Sequence, residues 1–328
     1  MAQTVRKIAD AAGVSPATIS RYYSGSNVVS TETARKIEEV AKELGYTHKF
    51  KSSRDNGVIA VLIPNLQLGF FSEVMKELIE QIPKYNYRMV FIPTIEGSEH
   101  YKIFFKEMNI VGVIYLDESI DHDIINYISS KNIKTVMCGG ASFDSKSEMV
   151  HINDMAAAYE GTRYLTDLGH EKILFLSDYA QSISSGFQRL TGCRRALDEV
   201  GIDINEKEMV GFGTVTYETG YRLTRQFIEK KIKFTAIFAF SDEMAVGAIS
   251  ALHDLGFKVP EDVSILGFDD IALAERVIPH LTTVHQPIKN FVTKTLDAFL
   301  ELDGANGKLE ITLPYTIIKR DTVIRKEK

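Results

Sequence analysis

Long apolar runs are missing from this chain. No stretch approaches the roughly 18 consecutive apolar residues that a membrane span needs, so no membrane partner is expected. The first ten residues carry Arg6, Lys7 and Asp10 with no apolar block behind them, which argues against a signal peptide. Prolines are few, eight in 328 residues, and no segment has the composition of a disordered or low-complexity tail. Cysteine is scarce too: Cys138 and Cys193 form no CxxC. They read as two buried, inert thiols of a cytoplasmic protein. The usual enzyme signatures are also absent. GFGTV at 211–215 lacks the third glycine of a dinucleotide loop, no GxxxxGK[ST] occurs, and His170-Glu171 has no second histidine to complete a zinc helix. The neighbouring acids Asp269 and Asp270 point apart in any regular backbone. No catalysis, cofactor or metal is expected.

What the chain does have is an uneven charge. The whole carries a formal −6, yet residues 1–54 hold nine Lys/Arg against five Asp/Glu, a net +4, leaving −10 for the rest. A small basic head on an acidic body suits a head that meets a polyanion. At 36.8 kDa the chain is too long for one ordinary core.

The head reads as three short helices. Thr4 is placed to cap a helix over about Val5–Ala12, and Gly13 stops it. Ser15 caps a second helix whose first residue is Pro16, where a missing N–H costs nothing. A three-residue gap with a glycine between two short helices is the spacing of a DNA-binding helix-turn-helix. Ser30 caps a third helix, ended by Gly45. In such a unit the second helix enters the major groove. Pro16, Ala17, Thr18, Ser20 and Arg21 fall on its open side, Val14 and Ile19 on its inner side. Arg21 suits guanine O6 and N7; Thr18 and Ser20 are short donors suited to phosphates, with Thr4 and Arg6 of the first helix beside them.

From Val58 the texture changes. VIAVLIP, RMVFIP, VGVIYL, KTVMCG, KILFLS, TAIFAF and VSILGF are continuous apolar runs of the kind buried on both faces of a parallel sheet. Amphipathic stretches such as FSEVMKELIEQI and DEMAVGAISALHDLG alternate with them. This predicts right-handed strand–helix–strand crossovers, in two similar α/β lobes. Residues 47–57, THKFKSSRDNG, are polar and form a linker.

Taken together, TVRKIADAAGVSPATISRYYSGSNVVSTETARKIEEVAKELGY, IPNLQLGFFSEVMKELIE, QRLTGCRRAL, SDEMAVGAISALHDLGFKVPEDVSILGFDD and PHLTTVHQP resemble, in order, the LacI/GalR transcription repressors. The resemblance runs from about Thr4 to Thr322. It implies a helix-turn-helix head (1–46), a hinge (47–57), and a periplasmic-binding-protein-like core (58–328). That core has two doubly wound parallel-sheet lobes, about 58–154 with 286–314 and about 155–285 with 315–328. It further implies a homodimer on near-palindromic operator DNA, governed by a sugar or sugar-phosphate effector held between the lobes. Ser15 and Asn27 join the DNA-contacting set, and Lys49, Phe50 and Lys51 stand at the hinge.

Sugar hydroxyls are gripped by carboxylates and guanidinium, with an apolar ring over the sugar face. Arg189 and Asp269 match the family's arginine and carboxylate. Ser241 matches a polar ligand position, Phe70 and Phe71 match ring contacts, and Asp242 is expected to cap the helix after Ser241. Two departures stand out. The linker has only eleven residues between Tyr46 and Val58 and no leucine for a minor-groove wedge. Val215 occupies a position where the family often has a stacking aromatic. Two rival readings are a cytosolic sugar-binding protein with a degraded head and a regulator whose corepressor is a phosphorylated protein.

Overall fold

The computed structural model describes residues 2–23, 30–43, 56–63, 69–94, 99–116, 122–139, 148–178, 184–301 and 310–326. Two compact units emerge, Met1–Gly57 with Tyr85–Arg88 and Val58–Lys84 with Met89–Lys328.

The first unit contains α1 (Ala2–Ala12), α2 (Pro16–Tyr23) and α3 (Thr31–Glu43). Gly13 takes φ +67° between the first two, a left-handed turn that favours glycine. Ser15 caps α2, its Oγ accepting from the Thr18 N–H at 3.0 Å. Ser30 does the same for α3 through the Thr33 N–H at 3.3 Å. Ile8, Ala9, Ala12, Ile19, Ile37 and Ala41 close a small core, with Val14 and Tyr22 packed against it. Thr4 is not a cap. The helix begins at Ala2, so Thr4 lies within its first turn; alanine and glutamine are good helix formers and carry the turn forward of it.

The second unit is built from β1 (Val58–Ile63), α4 (Gly69–Gln81), β2 (Arg88–Pro93), α5 (Glu99–Glu107), β3 (Ile110–Tyr115), α6 (His122–Ser130), β4 (Lys134–Cys138) and β5 (Glu148–Ile152). There follow α7 (Asp154–Asp167), β6 (Ile173–Ser177), α8 (Ser185–Asp198), α9 (Glu206–Met209), β7 (Val210–Phe212), α10 (Tyr217–Glu229), β8 (Ala236–Ala239), α11 (Asp242–Asp254) and β9 (Ser264–Asp269). The chain closes with β10 (Thr282–His285), α12 (Ile288–Glu301), β11 (Glu310–Leu313) and β12 (Thr316–Ile318).

Two six-stranded sheets result, ordered β11-β5-β4-β3-β1-β2 and β12-β10-β9-β8-β6-β7. β3 pairs in parallel with β1 and β4, and β5 with β4 and β11. In the second sheet β12 runs antiparallel to β10. Every residue of β1, β6, β8 and β9 is buried, as continuous apolar runs require between two helical layers.

The chain passes between the sheets three times: between β5 and α7, after β10, and between β11 and β12. Each lobe has its own core, around Leu62, Val113 and Tyr115 in the first and around Leu176, Ile237 and Met244 in the second. His170 pins the last segment to the second lobe: Nδ1 meets Thr235 Oγ1 and Nε2 meets the Ile324 carbonyl, both at 3.0 Å. Cys138 and Cys193 are buried; burial pushes their thiols up, to about 11 and about 12, which leaves them unreactive at neutral pH.

Candidate functional site

In the first unit the question is what α2 offers. Ile19 is fully buried and Tyr22 packs inward. Residues advance about 100° each round a helix, so positions 17 and 21 fall on the opposite side from position 19. Pro16 is exposed and Thr18 half-exposed. The Thr18 hydroxyl lies 2.8 Å from Ser15 Oγ, so these two groups fix the first turn. Thr4, Arg6, Ala17, Ser20 and Arg21 have helical backbones, but their side chains lie outside the described part of the structure. Asn27, Lys49, Phe50 and Lys51 lie outside the described residues altogether.

In the second unit, polar groups gather at the C-terminal ends of the strands of the second lobe, where ligands bind in open parallel sheets. Arg189 sits one turn into α8 and is buried. Its Nε donates to Asp154 Oδ1 at 2.7 Å and its Nη1 to the Phe240 carbonyl at 2.6 Å. The guanidinium carbon lies over Phe268, 3.6 Å from the ring centre, a cation–π contact strengthened by desolvation. Asp154 is the first residue of α7, directly after the first crossing between lobes. Burial pushes its carboxyl up, against the pull of Arg189.

Asp178 follows β6. Burial raises its carboxyl, opposed first by the charge of Arg189 and then by hydrogen bonds from Ser177, Ser184 and the Gly186 backbone. A Cβ on residue 186 would stand 1.4 Å from Asp178 Oδ1. Glycine at 186 is what lets this carboxylate rest on the first turn of α8.

Asp269 ends β9 with φ +113°, a strained conformation for a residue other than glycine. Gln286, the first residue of the second crossing, holds it twice: Nε2 donates to Oδ1 at 2.7 Å and the backbone N–H to the Asp269 carbonyl at 3.1 Å. Burial pushes the Asp269 carboxyl up to about 7, against the pull of Arg189 and Gln286. Arg189 and Asp269 therefore each hold a different partner and do not pair with each other.

The neighbouring Asp270, at φ +59°, faces another way. It accepts from His285 Nδ1 at 2.8 Å and Arg320 Nη2 at 2.7 Å. Burial works to raise this carboxyl, but those two hydrogen bonds and the Arg320 charge hold it below the usual range. Because His285 ends β10 and Arg320 follows β12, Asp270 ties the second crossing to the third.

The cap of α11 is Ser241, whose Oγ accepts from the Met244 N–H at 3.2 Å. Asp242 is not the cap. It is the first helical residue and turns into the lobe, accepting from Thr283 Oγ1 and from the Ile271 N–H at 2.9 Å. Burial, reinforced by the charge of Asp269, pushes its carboxyl well up. Phe70 and Phe71 open α4 as a half-buried edge-to-face pair with centroids 5.7 Å apart, and Phe70 also packs edge-on against Phe291 at 6.2 Å. Val215 lies against the apolar core of the second lobe.

Sequence reasoning missed Asp154, Asp178 and Gln286. Asp178 was within reach, since an acid directly after a buried strand (KILFLSD) stands where ligands bind. Asp154 and Gln286 carry no comparable local signal, since their partners Arg189 and Asp269 lie 35 and 17 positions away.

Comparison with known proteins gives the constellation its context. Residues 4–48 match "Bacterial regulatory proteins, lacI family" and residues 162–323 match "Periplasmic binding protein-like domain". The HTH-type transcriptional regulator DegA of Bacillus subtilis (strain 168) is 31% identical over 88% of both chains. RegA of Clostridium saccharobutylicum, also an HTH-type transcriptional regulator, is 29% identical over 99% of this chain and all of its own. Among solved structures, the complex of the transcriptional regulator CelR with cellobiose superposes with TM-score 0.73 at 25% identity, covering 97% of this chain and 99% of that one. These relatives are regulators of transcription and not enzymes. Among the described residues no helix is long and apolar enough to cross a membrane. Head, two-lobed core and relatives agree over nearly the whole chain, which belongs to the LacI family of bacterial transcriptional regulators.

Proposed function

We propose that this regulator is a cytoplasmic, dimeric repressor of carbohydrate-utilisation genes, controlled by a sugar or sugar-phosphate bound between the lobes of residues 58–328. The observation that carries this reading is the double attachment of the candidate ligand groups to the crossings. Arg189 is bonded to Asp154 at the first and Asp269 to Gln286 at the second. A ligand that shares these bonds biases the relative closure of the lobes. A dimer then passes the bias to two heads (residues 1–46, joined through 47–57) on near-palindromic half-sites. CelR, similar over nearly the full chain, was solved in complex with cellobiose. Phe70 and Phe71 serve as the apolar wall. Ser241, which also caps α11, and Val215, which also packs on the second-lobe core, complete the lining.

In the head, Ser15, Pro16, Ala17, Thr18, Ser20, Arg21 and Asn27, with Thr4 and Arg6, meet DNA. Arg21→Ala is expected to cost about 1–3 kcal/mol of specific binding and to relax preference at one base pair per half-site. Anisotropy titrations against single-base operator variants measure this; unchanged affinity and preference would remove Arg21 from base readout.

The experiment for the whole reading is selection of bound DNA from random sequence, repeated with a panel of sugars. An inverted repeat whose enrichment changes with one sugar is the expected result. Enrichment of no motif contradicts it.

A further inference from the structure

Resting on the reading of a dimer that sets two heads on two half-sites, we propose that Asn56 is a positioning residue for operator binding. The turn at Tyr85–Arg88 clips Asn56 and Gly57, and so fixes the point from which the linker runs to the head. The observation is a set of hydrogen bonds that joins the last two residues of the linker to a segment 29 positions further on.

Asn56 is held twice. Its backbone N–H donates to the Asn86 carbonyl and its Nδ2 to the Tyr85 carbonyl, both at 3.0 Å. The Arg88 N–H donates back to the Gly57 carbonyl at 3.0 Å. Asn86 takes φ +60°, a left-handed turn that asparagine tolerates. In that turn the successive carbonyls of Tyr85 and Asn86 both accept from Asn56. Gly57 takes φ +113°, where any side chain is strained. The next N–H, that of Val58, donates to the Asn109 carbonyl at 2.9 Å. Three consecutive residues, Asn56 to Val58, are thus each bonded to a segment distant in sequence.

Asn56 is exposed. Its amide fills no core and would find water equally well, so its bonds set where the chain goes. Length gives the size of the effect. Nine residues, 47–55, separate the head (1–46) from the clip. An extended chain spans about 3.3–3.6 Å per residue, so freeing Asn56 and Gly57 lengthens each tether's reach by up to about 7 Å, and the pair's by up to about 14 Å. Base pairs stack about 3.4 Å apart. That slack equals several base pairs, whereas two heads in successive major grooves need a fixed separation. A clipped tether therefore selects half-site spacing. A released one tolerates several spacings, because the effective concentration of the second head then varies little with distance.

The test is selection of bound duplexes from random DNA by full-length wild type, Asn56→Asp, Asn56→Ala and Lys84→Ala, with the spacing between half-sites read from the sequenced pools. Asn56→Asp keeps the shape but turns an acceptor toward the Tyr85 carbonyl. Asn56→Ala removes the donor without adding charge. Lys84, exposed and one position before the clip, is the control. Wild type and Lys84→Ala are expected to prefer one spacing by about tenfold or more over those one base pair longer or shorter. Both Asn56 variants should keep the half-site sequence, with that preference reduced to about threefold or less. A turn that served only the fold would move the urea midpoint and leave the spacing sharp; a sharp spacing in both Asn56 variants overturns the proposal. So does a changed half-site sequence, which would put Asn56 in base readout. If wild type itself enriches no paired motif, the dimeric DNA-binding reading fails and this inference with it.

Discussion

Arg189→Ala is expected to destabilise the second unit by about 3 kcal/mol, near the lower end of the range for breaking a buried ion pair, and to abolish the effector response. Three losses coincide. Asp154 loses its partner at 2.7 Å, the Phe240 carbonyl loses a donor at 2.6 Å, and Phe268 loses the guanidinium stacked on it. The low end applies because the Asp154 carboxyl is already pushed up by burial. With Arg189 gone it takes a proton and so sheds much of the penalty of an isolated charge. Arg189→Lys separates stability from recognition. A lysine restores the charge but not the fork that reaches both Asp154 and Phe240. It should recover part of the stability and little of the response. Urea unfolding followed alongside operator binding measures both. Wild-type stability in Arg189→Ala would mean that the buried pair contributes nothing to the fold.

Gly192→Ala should cost a similar amount, about 3 kcal/mol, the upper end of the usual range for overpacking. A Cβ at residue 192 would stand 2.0 Å from the Met155 carbonyl oxygen and 2.9 Å from the Tyr159 nitrogen. Those are backbone atoms of α7, so no rotamer change relieves the clash and α7 must move away from α8. Asp154 begins α7 and Arg189 lies three positions before Gly192 on α8. The same displacement therefore stretches the Arg189–Asp154 bond, and effector affinity should fall with stability. Gly201→Ala is the control. Its φ is +72° with nothing within 4 Å of the added atom, so it should lose only about 1 kcal/mol through backbone strain and leave the effector response unchanged. Equal effects of the two substitutions, read from urea midpoints, would show that helix contact is not what demands glycine at 192.

How much of this was legible beforehand follows from the range of the forces involved. The parallel sheets were readable because strands such as VIAVLI are buried on both faces, which demands uninterrupted apolar residues. The turn at Gly13 and the caps at Ser15 and Ser30 were readable because a cap is a contact over three residues. Errors came where two local solutions compete. Thr4 can cap a helix, but two helix-forming residues ahead of it let α1 start at Ala2. Ser241 and Asp242 can each cap α11. The serine does so because Thr283 and Ile271, brought in by the fold, draw the aspartate inward. The site itself was half legible. Arg189 and Asp269 stood out by resemblance. Their partners Asp154 and Gln286, 35 and 17 positions away, are set by how the crossings run, which local sequence does not encode.

The central claim is that ligand in the core and operator at the head bias one equilibrium. The most direct measurement is operator affinity by fluorescence anisotropy at fixed salt, with and without saturating effector, paired with effector affinity with and without saturating operator. Linkage requires the two shifts to be equal. A matched change of about tenfold to a hundredfold, a coupling of typically 1–3 kcal/mol, is expected in wild type and little of it in Arg189→Lys. Operator affinity that stays constant while the effector saturates its site would contradict it.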